Sequence, residues 1–263
     1  MEKDTAKRIA ARFIGFNFEQ RQAFWTKMHE QGVTPAQLPI LSRQRSGQDS
    51  LPASHAQVRQ WVLWQLSPSS SAYHVAGGLR MQGKLNREAL RASLEAVVQR
   101  HEVLRTRFVA GESGQVEQHI DPEMALEWQE AELNSIEADD AASALAARPF
   151  DLSYGPLLRA GLYCTGPDEH LFAVSMHHIV SDGWSIQVLL GELVAHYRAA
   201  VLGEATALAP LPIQYADYAA WQREWLDAGE RERQLVYWRN MLDRKSTRLN
   251  SSHSSPSRMP SSA

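Results

Sequence analysis

The stretch "AVSMHHIVSDGWSIQVLL", Ala173 to Leu190, is where the reading of this chain turns. It begins as an apolar strand and ends in helical spacing carried on through Ile186, Leu189, Leu190, Leu193, Val194 and Tyr197. Between them lies a polar loop with two adjacent histidines and an Asp-Gly pair. A loop between a strand and a helix is a place where a rigid scaffold presents side chains for chemistry. Neighbours on a strand point to opposite faces, so His177 and His178 aim at one point only if the strand has ended. That argues against a two-histidine metal site, and no other His/Asp cluster at ligand spacing completes one. One histidine is expected to face a site and the other to pack inward. Asp182 is placed to fix the loop or orient an imidazole. Gly183 is expected to let the backbone turn tightly, with its N–H near the positive end of the new helix, where an oxyanion is stabilised. By spacing alone the plainer reading is favoured: a core histidine, an N-cap aspartate and a turn glycine.

Outward from the loop, helices and strands follow one another. "LLRAGLYC" and "LFAVSM" read as strands separated by "TGPDEH", after an Ala-rich helix at 136–147 and the turn-rich "RPFDLSYGP". "SHAQVRQWVLWQL" opens with Ser54 and Gln57 in a capping box. "LNREALRASLEAVVQRH" is an amphipathic helix capped by Asn86, with Leu85 and Leu90 as its hydrophobic staple. "VLRTRFVA" and "QVEQHI" read as a hairpin across a glycine-punctuated turn, and "QYADYAAWQREWL" and "ERQLVYWRNML" supply two later helices. Helices and strands without a regular βαβ repeat predict a layered α+β fold. Trp61, Trp64, Trp221, Trp225 and Trp238 lie in amphipathic helices and are expected in the core.

Composition divides the chain into four stretches. Residues 1–41 form a helical N-terminal segment: Asn17 and Gln20 make a capping box, Gly32 stops the helix, and a shorter helix around Ile9 and Phe13 precedes it. Residues 42–52, "SRQRSGQDSLP", read as a polar linker, and 53–242 as the main domain. Residues 243–263 switch abruptly to Ser, Arg and Pro without periodicity and are expected to be disordered. Asp243 to His253 back-translates to a string that looks like a sequencing-library adapter. The tail therefore reads as non-native, with the natural protein continuing differently after Leu242.

The chain has 263 residues, 44% hydrophobic and 22% charged, with a formal net charge of −3. That composition is globular and gives no reason to expect nucleic acid or an anionic membrane as partner. Cys164, the only cysteine, forms no internal disulfide and reads as a buried structural thiol. No apolar run approaches the roughly 18–20 residues of a membrane span. The N-terminus lacks a secretory h-region, so the expected compartment is the cytoplasm.

His177-His178-Ile179-Val180-Ser181-Asp182-Gly183 matches the HHxxxDG signature of the chloramphenicol acetyltransferase-like superfamily. "MHHIVSDGWS" resembles the condensation domains of nonribosomal peptide synthetases. "SHAQVRQWVL" resembles that family's opening motif, with Gln60 where Leu or Met is usual. "RHEVLRTRF" matches its second motif, "YADYAAWQ" resembles its fourth, and "PFDLSYGPLLRA" is also typical. The resemblance covers Ser54 to Leu242 in the family's order. It implies an N-terminal lobe of that fold, a mixed sheet with packed helices, with the second lobe and the family's later motifs missing.

The resemblance also implies amide formation between a carrier-bound acyl or peptidyl thioester and a carrier-bound aminoacyl acceptor. His178 resembles the catalytic histidine, acting as a base or holding the nitrogen in line. Gly183 N–H becomes the candidate for the tetrahedral oxyanion, and His177 supports the loop by packing. Asp182 is expected to brace the loop through an arginine, Arg100 or Arg105. No metal or cofactor is expected to bind directly. The 4′-phosphopantetheine arms of upstream and downstream peptidyl carrier proteins would deliver both substrates, beside an adenylation domain and the second lobe. Residues 1–41 are a packed extension or a docking element for a preceding synthetase chain. The alternatives are a CoA-dependent acyltransferase of the same fold, a non-catalytic recruitment lobe and, less in keeping with "DGWS", an epimerisation domain. Without its second lobe this chain is expected to be inactive alone.

Overall fold

The computed structural model describes residues 3–33, 37–45, 50–112 and 114–251, with side chains from residue 4 to residue 242. The chain divides into two units. One spans residues 40–223; the other joins 1–39 with 224–263.

The larger unit holds two sheets. In the smaller sheet the order is β1 (Leu51–Pro52), β4 (Val116–Ile120), β3 (Thr106–Ala110), all antiparallel. In the larger one it is β2 (His74–Gln82), β7 (Glu169–His177), β6 (Leu158–Gly166), β5 (Glu127–Glu132), with only the β5–β6 pair parallel. The central strands β6 and β7 are buried nearly throughout, because helices cover both faces. Leu158, Ala160, Leu162, Phe172 and Met176 join the core that includes Leu90, Leu94 and Val97 of α4 (Arg87–Arg100) and Leu189 and Leu193 of α6 (Gly183–Leu202). Tyr163, Leu171 and Ala173 face the opposite way, toward Ala138 of α5 (Ser135–Ala147). The two-residue period of a strand sorts these side chains. It therefore sends Met176 to the α4–α6 side and His177 to the other.

β2 and β5 escaped the sequence reading. Both are edge strands: β2 carries Gly77 and Gly78 and is largely exposed, and β5 is "EWQEAE". Neither has the apolar alternation by which a strand is recognised; pairing with a buried neighbour makes each one extended. The local signals held well. Ser54 caps α3 (His55–Leu66) in a reciprocal box with Gln57, and Asn86 Oδ1 accepts from Ala89 N at the start of α4.

The stretch expected to be a linker is built into the larger unit. β1 pairs with β4, and Arg45 reaches Asp217 at 3.1 Å and Glu102 at 2.9 Å. Polar composition concealed this, since the partners lie far along the chain; residues 46–49 fall outside the described ones.

In the smaller unit, α1 (Lys3–Ile14) and α2 (Phe18–Glu30) are joined at the Asn17–Gln20 capping box, and Gly32 adopts a left-handed φ of 72° after α2. Phe13 packs on Phe24 and Trp25 at ring separations of 5.8 and 6.3 Å. α2 packs against the bulge at 226–230, and Arg21 pairs with Glu224 at 3.0 Å. Residues 224–242, read from composition as part of the main domain, thus group with 1–39 instead. Trp238 is 56% exposed, not a core residue. α8 (Arg231–Ser251) continues nine residues past Leu242, where disorder was expected; once nucleated, a helix gains a hydrogen bond with each added residue. Residues 252–263 lie outside the described ones. No helix among the described residues is long and apolar enough to cross a membrane.

Candidate active site

The site is built where β7 runs out. His177 pairs in register with His74 of β2, and His177 N donates to Leu157 O at 3.1 Å. One residue on, His178 N donates to Tyr73 O at 2.8 Å, and the chain turns. Val180 N and Ser181 Oγ both donate to His177 O, closing the turn at 3.1 and 3.2 Å.

His177 is 3% exposed. Its Nδ1 accepts from Ile179 N at 3.0 Å, which leaves the ring proton on Nε2. Burial, with help from His74 and His178, pulls its pKa down to about 4. The folded state thus keeps this imidazole neutral, while the unfolded chain takes up a proton below about pH 6.5. The sign follows: stability present above pH 6.5 is lost as pH falls toward 4, at up to about 1.4 kcal/mol per pH unit from this group. In His177→Asn, urea midpoints should show a shallower slope across pH 6.5 to 4; a slope equal to the wild type would reject this origin.

His178 is exposed, and its ring makes no hydrogen bond to a described residue. β7 ends at His177, and the turn that follows parts the two rings, His177 inward and His178 outward, as the resemblance implied.

Asp182 is the N-cap of α6. Its Oδ1 accepts from Ser185 N at 2.8 Å and Ser185 Oγ at 2.6 Å, while Asp182 N donates to Ser185 Oγ at 3.2 Å. The Ser185 hydroxyl and then its N–H hold the Asp182 carboxyl below its ordinary pKa. Neither arginine expected to brace it does so. Arg100 Nε meets both oxygens of Glu192 at 3.1 Å, and its Nη2 donates to Ala209 O. Arg105 donates to Asp121 O and Gln99 O. Arg100 therefore ties α4 to α6 downstream of the loop, and Arg105 locks the chain around the 3-10 turn at 102–105. Asp182→Ala should cost about 1 kcal/mol, a lost cap, read as a lower urea midpoint at pH 7; an unchanged midpoint would contradict the capping role.

Gly183 is the first residue of α6 and is exposed. Its φ is not positive, and a Cβ built there would meet nothing within 4 Å. The turn therefore does not require glycine, contrary to the expectation from sequence. Its bare backbone leaves open space at the helix N-terminus.

On the α4–α6 side of the loop lies a cavity of about 140 Å³, lined by Val97, His101, Met176, Val180, Val188 and Trp184. Trp184 is 81% exposed. His101 Nε2 sits 2.7 Å from Glu192 Oε2. Burial would raise the Glu192 carboxyl, but hydrogen bonds from His101 and Arg100 bring it below its ordinary pKa.

Several supporting residues were not singled out in the sequence. Arg159, 3% exposed, donates to Arg148 O at 2.7 Å and Pro149 O at 3.0 Å, and its guanidinium lies 3.6 Å from the centre of the Phe150 ring. Burial lowers its pKa to about 10, so it stays charged at neutral pH. An arginine inside an apolar strand was the available signal. Two motifs recognised separately prove to be bonded together: Ser54 Oγ lies 3.1 Å from Tyr215 Oη, His55 N donates to Gln222 Oε1, and Arg223 Nε donates to Ala53 O. Among the described residues no cluster of three His, Cys, Asp or Glu side chains is arranged to hold a metal.

A family model described as Condensation domain matches residues 47–259. A linear gramicidin synthase polypeptide of Brevibacillus parabrevis is 47% identical over 200 residues, 73% of this chain and 3% of that protein. Phosphinothricin tripeptide synthetase PhsC of Streptomyces viridochromogenes is 39% identical over 249 residues, 91% of this chain and 22% of that one. The X-domain from teicoplanin biosynthesis, solved in complex with OxyB, superposes with a TM-score of 0.70 at 32% identity, over 77% of this chain and 45% of that one. The first condensation domain of the CDA synthetase shares the fold, with a TM-score of 0.65 at 23% identity over 74% of this chain and 51% of that one. The chain thus spans about half the length of these solved domains and a small part of the synthetases.

Proposed function

The chain belongs to the Condensation domain family, and from that premise we propose that its His178 loop serves amide-bond formation between two carrier-bound substrates in a longer synthetase. The observation that carries this reading is the divided histidine pair: His177 buried and neutral, His178 exposed in the turn between β7 and α6, its ring bonded to no described residue. The acceptor amine attacks the donor thioester carbonyl, the C–N bond forms, and the thiol leaves with a proton as the C–S bond breaks. His178 accepts the amine proton or holds the nitrogen in line; an amine is a good nucleophile once neutral, so positioning carries much of the rate.

Gly183 N–H is the proposed oxyanion donor. The first N–H groups of a helix lack intrahelical acceptors. The Asp182 carboxylate engages Trp184 and Ser185 N–H, which leaves Gly183 N–H without an acceptor among the described residues, at the helix's positive end. The open space beside it admits the close approach of a substrate. Gly183→Ala should therefore fold normally, with an unchanged unfolding temperature, and lower condensation in the synthetase at least about tenfold. An unimpaired rate would remove Gly183 from the site.

On this reading the 4′-phosphopantetheine arms of an upstream and a downstream carrier protein deliver the substrates, in the cytoplasm. An adenylation domain and a second lobe belong to the longer protein, and this chain alone condenses little. α1 and α2 bury Trp25 and Met28 within their own unit, which supports a packed structural element over a docking one. The test is transfer in the full synthetase. Amide product is expected from carrier-bound donor and acceptor, and none from the same acyl group as its CoA thioester. The reverse result would make this a CoA-dependent acyltransferase. A second reading, a recruitment lobe without chemistry, is favoured by the likeness to the X-domain solved with OxyB; it requires that peptide output be indifferent to His178.

A further inference from the structure

We propose that His74 is a positioning residue for the His178 loop, acting through the buried ring of His177; the proposal rests on the condensation reading above. His74 lies directly across from His177 in the β2–β7 register, and its neighbour Tyr73 supplies the carbonyl that holds His178 N at 2.8 Å. The first two residues of this corner thus face the histidine pair one to one.

The tautomers of the two neutral rings follow from their partners. His74 Nδ1 lies 2.8 Å from Ala146 O. A carbonyl only accepts, so Nδ1 carries a proton, and in the neutral ring Nε2 holds a lone pair. That Nε2 is buried with no partner among the described residues. His177 is the complement: Nδ1 accepts from Ile179 N, so Nε2 carries the proton. The ring centroids are 6.0 Å apart at 66°, and Phe150 touches both, at 4.8 Å from His74 and 6.2 Å from His177. One ring offers an N–H and its neighbour a lone pair, in a site walled by Phe150. No hydrogen bond joins the two nitrogens among the described residues, and in this scheme one water bridges them.

A buried acceptor left unused is costly, and a strand at this register needs no polar atom to pair. The arrangement therefore runs from the end of α5 (Ala146 O) by a hydrogen bond to His74, by ring contact to His177, and by a hydrogen bond to Ile179 N, the residue after His178. It sets the orientation of the turn that projects the exposed imidazole. His74 touches no substrate in this scheme.

The experiment compares His74→Phe and His74→Asn in the full synthetase, with nitrogen-15 histidine spectra of the 263-residue chain. His74→Phe keeps a packed ring but loses both polar atoms. His74→Asn restores a donor and an acceptor. For His74→Phe, kcat should fall about tenfold with the KM for the aminoacyl carrier within about twofold, and His74→Asn should recover most of the loss. The spectra should show His177 protonated on Nε2 in the wild type and a mixture of tautomers in His74→Phe. Unchanged kcat in His74→Phe, or a wild-type His177 protonated on Nδ1, would overturn the proposal. The spectra decide it even where a variant folds poorly. Full activity in His178→Ala would instead overturn the condensation reading; loss there with an unaffected His74→Phe would overturn the positioning role alone.

Discussion

His178→Ala should lower amide formation by the synthetase at least about 10²-fold while leaving the unfolding midpoint of this chain in place. The two halves of that result have separate causes. The imidazole is exposed and bonded to nothing among the described residues, so truncating it opens no cavity and orphans no buried group. What ties residue 178 to the fold is its backbone N–H on Tyr73 O, which alanine retains. The rate should be read as single-turnover transfer from a donor-loaded carrier to an aminoacyl carrier. Transfer at the wild-type rate would sink the assignment and leave the recruitment reading standing. His178→Gln separates the two roles left to the ring: an amide accepts a hydrogen bond but takes up no proton at neutral pH. A largely retained rate would assign positioning, and a collapse would assign proton transfer.

The largest stability effect is expected at Asp217. The residue is 1% exposed and its side chain fully buried. Oδ1 accepts from Arg43 N at 3.0 Å and pairs with Arg45 Nη2 at 3.1 Å, and Oδ2 accepts from Gln214 N at 2.8 Å. Arg45 continues to Glu102 at 2.9 Å, so one carboxylate anchors residues 43–45 and the start of α7 (Tyr215–Trp225). Asp217→Ala removes the anion and leaves two backbone donors and a guanidinium short of partners. Losing one member of a buried pair costs about 3–5 kcal/mol, which fits a buried, multiply bonded carboxylate such as this. Urea unfolding at pH 7 should show that loss. Arg91→Ala is the matched control: its exposed pair with Glu95, one helical turn on, should shift stability by less than about 0.5 kcal/mol. Equal effects at the two sites would contradict the buried clamp.

The same contrast separates what was legible in the sequence from what was not. The capping boxes at Asn17 and Ser54 and the cap at Asn86 were read correctly, since donor and acceptor lie within one turn. So was the β3–β4 hairpin. Arg100 and Arg105 were placed wrongly, because proximity in a motif says nothing about direction. Arg100 finds Glu192, 92 residues away, and not Asp182. β2 and β5 were missed, and with β2 went His74.

By itself the sequence determined the local grammar of this protein: where helices start, that the histidine loop joins a strand to a helix, and that two adjacent histidines share a face only where the strand has ended. Those outcomes depend on hydrogen bonds and side-chain periods spanning a few residues. The resemblance named His177 as the packed histidine and His178 as the outward one, and only the tertiary structure decided what turns them so. That arrangement required an edge strand just over a hundred residues upstream, invisible in composition, to lay His74 and the Tyr73 carbonyl against the end of β7. It likewise decided that Ser54 and Tyr215 meet and that Asp217 binds a stretch read as linker. Buried polar groups take whichever partner the packing brings to them, and packing brings together residues far apart in the chain.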